Sequence, residues 1–214
     1  MIEVLPDPNN KIDATGLNNP TGDPGPGFAS VRLSSNQQIM SNRTNSGRLV
    51  LSTVASQYWD ISISYNPMLR EQFDIIYSFL LRKRGGLIPF QVSLPQYLRP
   101  KDSALVNNPV TTALVDAFQS SIPYYINAGT PKIGDLFTVE DPNDSAHSKA
   151  YIVTGVIGGS IHCSPPLSKE VSAGATLRFI DPLIRVVFSG DVEEYSLNVN
   201  NLFSFSLKLE EAQA

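Results

Sequence analysis

The chain has 214 residues, enough for one large or two small domains, and only 17% of them are charged, with a net charge of −4. That balance argues against wholesale electrostatic attraction to nucleic acid or an anionic membrane. No apolar run approaches the ~20 residues needed to span a bilayer, the start with Glu3, Asp7 and several prolines is unlike a signal peptide, and the single Cys163 leaves no partner for an internal disulfide, in keeping with synthesis in a reducing cytoplasm.

Residues 1–27 hold sixteen Pro, Gly, Asn or Asp, so no long regular element is expected there. The apolar residues of Met1 to Leu5 point to an extended arm on a neighbouring subunit rather than a solvated tail. Phe28 to Leu33 and Gln37 to Asn42 are weak strand candidates, and 43–47 reads as a turn. From Arg48 to Tyr65 the apolar side chains fall at 49, 51, 59, 61, 63 and 65. This is the period of a half-buried strand, long enough that a bend near Ala55–Gln57 is expected. A helix follows. Asn66 can cap it, and Pro67 suits its first turn, where a missing N–H costs nothing. Leu69, Phe73, Ile76 and Leu80 recur at helical spacing, Arg82 to Arg84 suit the negative end of the dipole, and Gly85 is placed to end it. A strand then runs to Leu94.

The texture changes after Pro100. Thr111 to Phe118 could hold a short helical turn. Leu136 to Glu140, Lys149 to Ile157, Ser160 to Ser164 and Thr176 to Ile180 read as short strands, separated by an acidic turn at 140–144 and by Gly158–Gly159. Such spacing predicts a small β-barrel. Leu183 to Phe188 and Tyr195 to Leu209 return to period two, joined by Gly-Asp-Val-Glu-Glu at 190–194. The reading is mainly β with one packed helix. A domain of residues 28–100 and 183–214 is interrupted by an inserted barrel at 101–182. The helix–sheet core is predicted from Trp59, Ile61, Leu69, Phe73, Ile76, Leu80, Phe205 and Leu207.

No constellation for catalysis emerges. His147 lies in a polar turn and reads as exposed. His162 and Cys163 are strand neighbours whose side chains point to opposite faces, so they do not pair as base and nucleophile. Glu140, Asp141, Asn143 and Asp144 could offer oxygens to calcium, but their spacing is not that of a twelve-residue calcium loop, and a solvated turn is the simpler reading. The glycines 155, 158 and 159 precede no helix and make no phosphate cradle. The expectation is a protein that is not an enzyme and uses no cofactor or metal. A runner-up reading is a carbohydrate- or receptor-binding β module, with Tyr97, Tyr124 and Tyr125 stacking on sugars.

Several segments taken in order carry a resemblance. Trp59-Asp-Ile-Ser-Ile-Ser-Tyr65 is followed by a helix ending Phe79-Leu-Leu-Arg-Lys-Arg-Gly-Gly86, then Pro89-Phe90. The end of the chain reads Val187-Phe-Ser-Gly-Asp191, Tyr195-Ser-Leu197 and Phe203 to Ala212. This order resembles bacteriophage tail proteins of the distal-tail or baseplate-hub type, whose core is a tail-tube-like β fold, and it covers roughly half of the chain. Residues 129–181 resemble the small β-barrel inserted in many virion proteins. The resemblance implies a structural protein of the virion tail, synthesised in the host cytoplasm. It also implies a ring of six copies that joins the tube to hub or fibres and lets DNA pass through its lumen. DNA must slide without sticking, so the lumen wall is expected to be neutral or acidic. Asp191, Glu193 and Glu194, an acid cluster between the last strands, are the predicted lumen-facing residues.

Overall fold

The computed structural model describes residues 3–7, 25, 27–37, 39–53, 57–145, 147–189, 195–197 and 201–212. The first strands are β1 (Phe28–Asn36), β2 (Ile39–Arg43), β3 (Leu49–Thr53) and β4 (Tyr58–Tyr65), followed by helix α1 (Arg70–Arg82) and β5 (Phe90–Ser93). Six short strands come next: β6 (Val110–Thr111), β7 (Ser121–Tyr125), β8 (Leu136–Glu140), β9 (Ala150–Ile157), β10 (Ser160–Ser164) and β11 (Thr176–Arg178). The last are β12 (Leu183–Phe188), β13 (Tyr195–Leu197) and β14 (Phe203–Glu211). The protein is mainly β, as expected.

An antiparallel sheet runs in the order β1-β4-β14-β12-β5, with β13 folded back on β14. Strand β12 enters beside β5, with Leu183 opposite Ser93, so the chain returns to the sheet it left before the barrel. Trp59, Ile61, Ile63 and Tyr65 of β4 and Leu207 and Leu209 of β14 alternate inward, as period two requires. Helix α1 covers them with Phe73, Ile76, Phe79 and Leu80. Phe73 stacks on Phe203 at 4.4 Å and meets Phe205 edge-on at 6.0 Å. Phe205 packs on the margin of this core and also stacks on Tyr65.

Leu69 does not join that core; it is 62% exposed. The cause lies one residue earlier. Met68 and Phe203 exchange both backbone hydrogen bonds, at 3.0 and 2.9 Å, which holds residue 68 extended. The helix therefore starts only at Arg70, with Leu69 as an extended N-cap residue, φ −72° and ψ 159°. Asn66, the expected cap, instead donates its backbone N–H to Gly27. At the other end Arg84, Gly85 and Gly86 all have positive φ, and a Cβ on Gly86 would come within 3.0 Å of the Phe188 carbonyl. Only glycine fits there.

The segment expected as an arm begins on its own chain. Leu5 donates to the Gln91 carbonyl, Gln91 donates back to Glu3, and Leu5 is fully buried in the sheet core. Lys83, itself buried over the Phe79 ring, pairs with Glu3. Asp7 is buried too, and Gly25 lies hard against its backbone. The apolar residues Val4 and Leu5 are thus covered within the chain, and residues 8–24 lie outside those described.

Strands β10-β7-β6-β11-β8-β9 close into a barrel around Phe137, Tyr151, Phe179, Leu177 and Ile161. No helix forms at 111–118. Val115 pairs in both directions with Val171, and Phe118 donates to Leu167, so the backbone groups a helix would need are taken. The run 195–209 is not one strand either: it turns back between β13 and β14, with Tyr195 opposite Phe205.

Candidate functional site

The first candidate is a surface rather than a pocket. β1 pairs with β4 up to Asn36 opposite Tyr58, and β2 pairs with β3 from Ile39 opposite Thr53. The two pairings follow each other along one ribbon, whose outer length β2–β3 is a separate two-stranded sheet. Its tip is a turn set by Gly47 at φ +80° and by Thr44, whose hydroxyl accepts from Arg48 N–H at 3.1 Å. Ile39, Met40, Leu49, Val50 and Leu51 are all exposed, Leu51 by 61%. A lone two-stranded hairpin is marginal in water, and this one bares apolar side chains and both strand edges. Such a surface is built to be covered.

The second feature joins sheet and barrel. Adjacent residues of β8 and β9 serve different cores: Leu136 and Ala150 face the sheet core, Phe137 and Tyr151 the barrel core. At this wall Lys149 and Glu211 form an ion pair at 2.8 Å, both buried. Lys149 also donates to the Gln57 carbonyl at 2.6 Å, and Glu211 accepts from the Ala150 N–H at 2.7 Å. The Trp59 indole N–H donates to the Ala150 carbonyl at 2.8 Å. Burial pushes the Glu211 carboxyl up, while Lys149 and the N–H donors pull against it. The node is buried and hydrogen-bonded, a fastening between strands far apart in sequence.

The residues with chemical potential are placed as structure. His147 is buried, not exposed: its Nε2 lies 2.9 Å from the Tyr151 hydroxyl, which in turn accepts from the Ser168 N–H at 3.1 Å. Burial first of all lowers its pKa to about 4. Cys163 is buried in the barrel core, and burial raises its thiol to about 12, the wrong direction for a nucleophile. A bulge lies between His162 and Cys163. In the acidic turn, Asp141 is consumed by the backbone N–H groups of Asn143 and Ser172, at 2.8 and 2.6 Å. Asp144 pairs with Lys169 at 3.3 Å and Glu140 with Arg178 at 2.8 Å. Among the described residues no group of three His, Cys, Asp or Glu is arranged to hold a metal. The three tyrosines make no common platform: Tyr97 packs on the sheet core, Tyr124 on the barrel core, and Tyr125 points outward.

Of the predicted core residues, Trp59, Ile61, Phe73, Ile76, Leu80 and Leu207 meet in one cluster with Phe205 at its edge. Asp191, Glu193 and Glu194 lie outside the described residues. No helix among the described residues is long and apolar enough to cross a membrane.

A model for the family described as distal tail protein pb9, A domain, N-terminal, matches residues 5–97. That stretch takes in β1 to β5 and α1 and stops before the barrel. The match to a curated protein goes further: 28% identity over 219 residues to the distal tail protein pb9 of Escherichia phage T5, covering 97% of this chain and 98% of that protein. The chain resembles a phage distal tail protein along nearly its whole length. That match spans the barrel as well as the sheet.

The sequence reading missed the hairpin as a surface. Its signal was present: apolar residues at consecutive positions, 39–40 and 49–51, cannot all face one core in a strand.

Proposed function

We propose that this chain is a structural protein of a phage tail. Six copies form a ring at the tube end or baseplate, joining the tube to hub or fibres. The observation that carries the assembly is the bare apolar hairpin β2–β3, read with the end-to-end similarity to a distal tail protein. Five exposed apolar side chains on one ribbon are costly for a free monomer and useful at a seam repeated around a ring. The division of labour follows the two cores, the sheet domain of 28–100 and 183–214 building the ring and the barrel of 101–182 facing outward to other tail proteins. The lumen wall is neutral or acidic and carries Asp191, Glu193 and Glu194.

An electron-microscopy map of the assembled particle tests the ring. The expected result is a sixfold ring with β2–β3 buried between neighbouring copies; an isolated copy on a fibre tip rejects it. Replacing Leu51 and Met40 together by serine should leave the free chain folded and abolish ring formation. Replacing Asp191, Glu193 and Glu194 by lysine should leave assembly intact and slow DNA ejection, because added cations hold a polyanion by counterion release.

A further inference from the structure

We infer that the barrel loop around Phe118 is a docking surface for a second protein of the particle, one that offers an apolar socket rimmed by lysine or arginine. Phe118 is 80% exposed and has φ +68°. A bulky L-residue in the left-handed region is a genuine outlier, and such strain persists only where the surroundings impose it. Here they do. Phe118 donates to the Leu167 carbonyl at 2.8 Å, Leu167 donates back to Gln119, and Val115 and Val171 exchange hydrogen bonds at 2.9 and 2.8 Å. The frame is rigid, Val115, Leu167 and Val171 are buried, and the aromatic ring gains little from its own chain.

Two acids stand beside the strained residue. The antiparallel bridge of Val115 with Val171 puts Asp116 across from Glu170, and both acids are exposed on the outer face. The nearby Lys169 is engaged with Asp144. A strained, exposed aromatic ring with two exposed acids on the adjoining loops marks a site whose compensation comes from outside the chain. Leu114 and Pro166, also exposed, widen the apolar part of the surface. A sugar platform fits less well, because the other exposed ring among the described residues, Tyr125, lies at the far end of β7 from this loop. An aromatic anchor flanked by two acids fits a basic-rimmed pocket of a protein.

This inference rests on the tail reading, and the test separates the two. Phage lacking the gene for this chain is complemented with wild type, Phe118→Asn, or Asp116→Lys with Glu170→Lys, and the purified particles are analysed for composition. Asparagine tolerates the left-handed region, so the unfolding midpoint of free Phe118→Asn should stay level or rise by about 2–4 °C. Both variants should still enter particles, while one other particle protein falls at least tenfold in amount. Absence of the wild-type chain from particles would defeat the tail reading itself. Normal composition with both variants overturns the docking surface, as does a midpoint lowered by Phe118→Asn, which would make the ring a structural element of the barrel. Normal composition with impaired adsorption to host cells would also overturn it, in favour of a sugar site.

Discussion

The two lengths of one ribbon, β1–β4 and β2–β3, differ in what covers them. On the inner length apolar residues alternate, and Trp59, Ile61 and Ile63 are buried under helix α1 with β14 alongside. On the outer length apolar residues are consecutive and all exposed. The same backbone pairing thus serves two purposes. Alternation marks a strand with one face covered inside the chain, and a consecutive run on a bare ribbon marks a strand that its own chain leaves uncovered. Stability of the free chain should accordingly be sensitive to the inner length and blind to the outer.

The largest effect is expected where the inner ribbon meets the barrel. Glu211→Ala leaves Lys149 buried without its countercharge and should cost about 3–5 kcal/mol in denaturant unfolding. Replacing both by apolar residues of similar volume should recover much of that loss; a double variant as unstable as the single one would reject the ion pair as the cause. Phe73→Ala removes the ring that joins α1 to Phe203 and Phe205 and should cost a similar 3–5 kcal/mol, spent in the sheet rather than the barrel. Near-ultraviolet signals from the barrel tyrosines, retained at concentrations that unfold the sheet, would show the two cores parting.

His147 supplies a pH test confined to the barrel. Its folded pKa, near 4, lies below the unfolded value of 6.5. The unfolded chain therefore binds the proton first, so the stability this neutral histidine contributes is complete above pH 6.5 and is lost as pH falls toward 4. The loss is on the order of 3 kcal/mol. His147→Gln should flatten that part of the profile, and an unchanged slope would assign the acid sensitivity to other groups. The smallest effect belongs to the outer ribbon. Leu51→Ser should move the stability of the free chain by no more than about 0.5 kcal/mol while reducing assembly measured by light scattering or microscopy. A loss of several kcal/mol would mean that the hairpin is already covered.

The elements legible in the sequence are those whose burial is decided locally. Phe73, Ile76 and Leu80 fall on one helical stripe whichever sheet they meet, and the alternation of 59, 61, 63 and 65 defines a face by itself. The errors came from pairings distant in sequence. The start of α1 is set by Phe203, more than a hundred residues away, and no cap at Asn66 can outweigh two backbone hydrogen bonds to Met68. His147 looked exposed because its neighbours are polar, but Tyr151 and the segment around Ser168 enclose it. The turn between β13 and β14 did carry a local mark, Asn201 at φ +57°, in an asparagine-rich stretch that the parity of the apolar residues concealed. Of the exposed hairpin the sequence showed the residues but not that they stand free of the sheet, since that depends on where β14 ends its pairing with β4.

Strand β14 has a consequence for synthesis. It lies between β4 and β12 in the sheet, yet it follows every other described strand in the chain. The barrel, whose strands are all near one another in the chain, can close while β4 still lacks a neighbour on one side. Until β14 arrives, β4 presents an open edge to every other nascent copy in the cell. How long β4 stays open is then set by how soon β14 is threaded into place beside it.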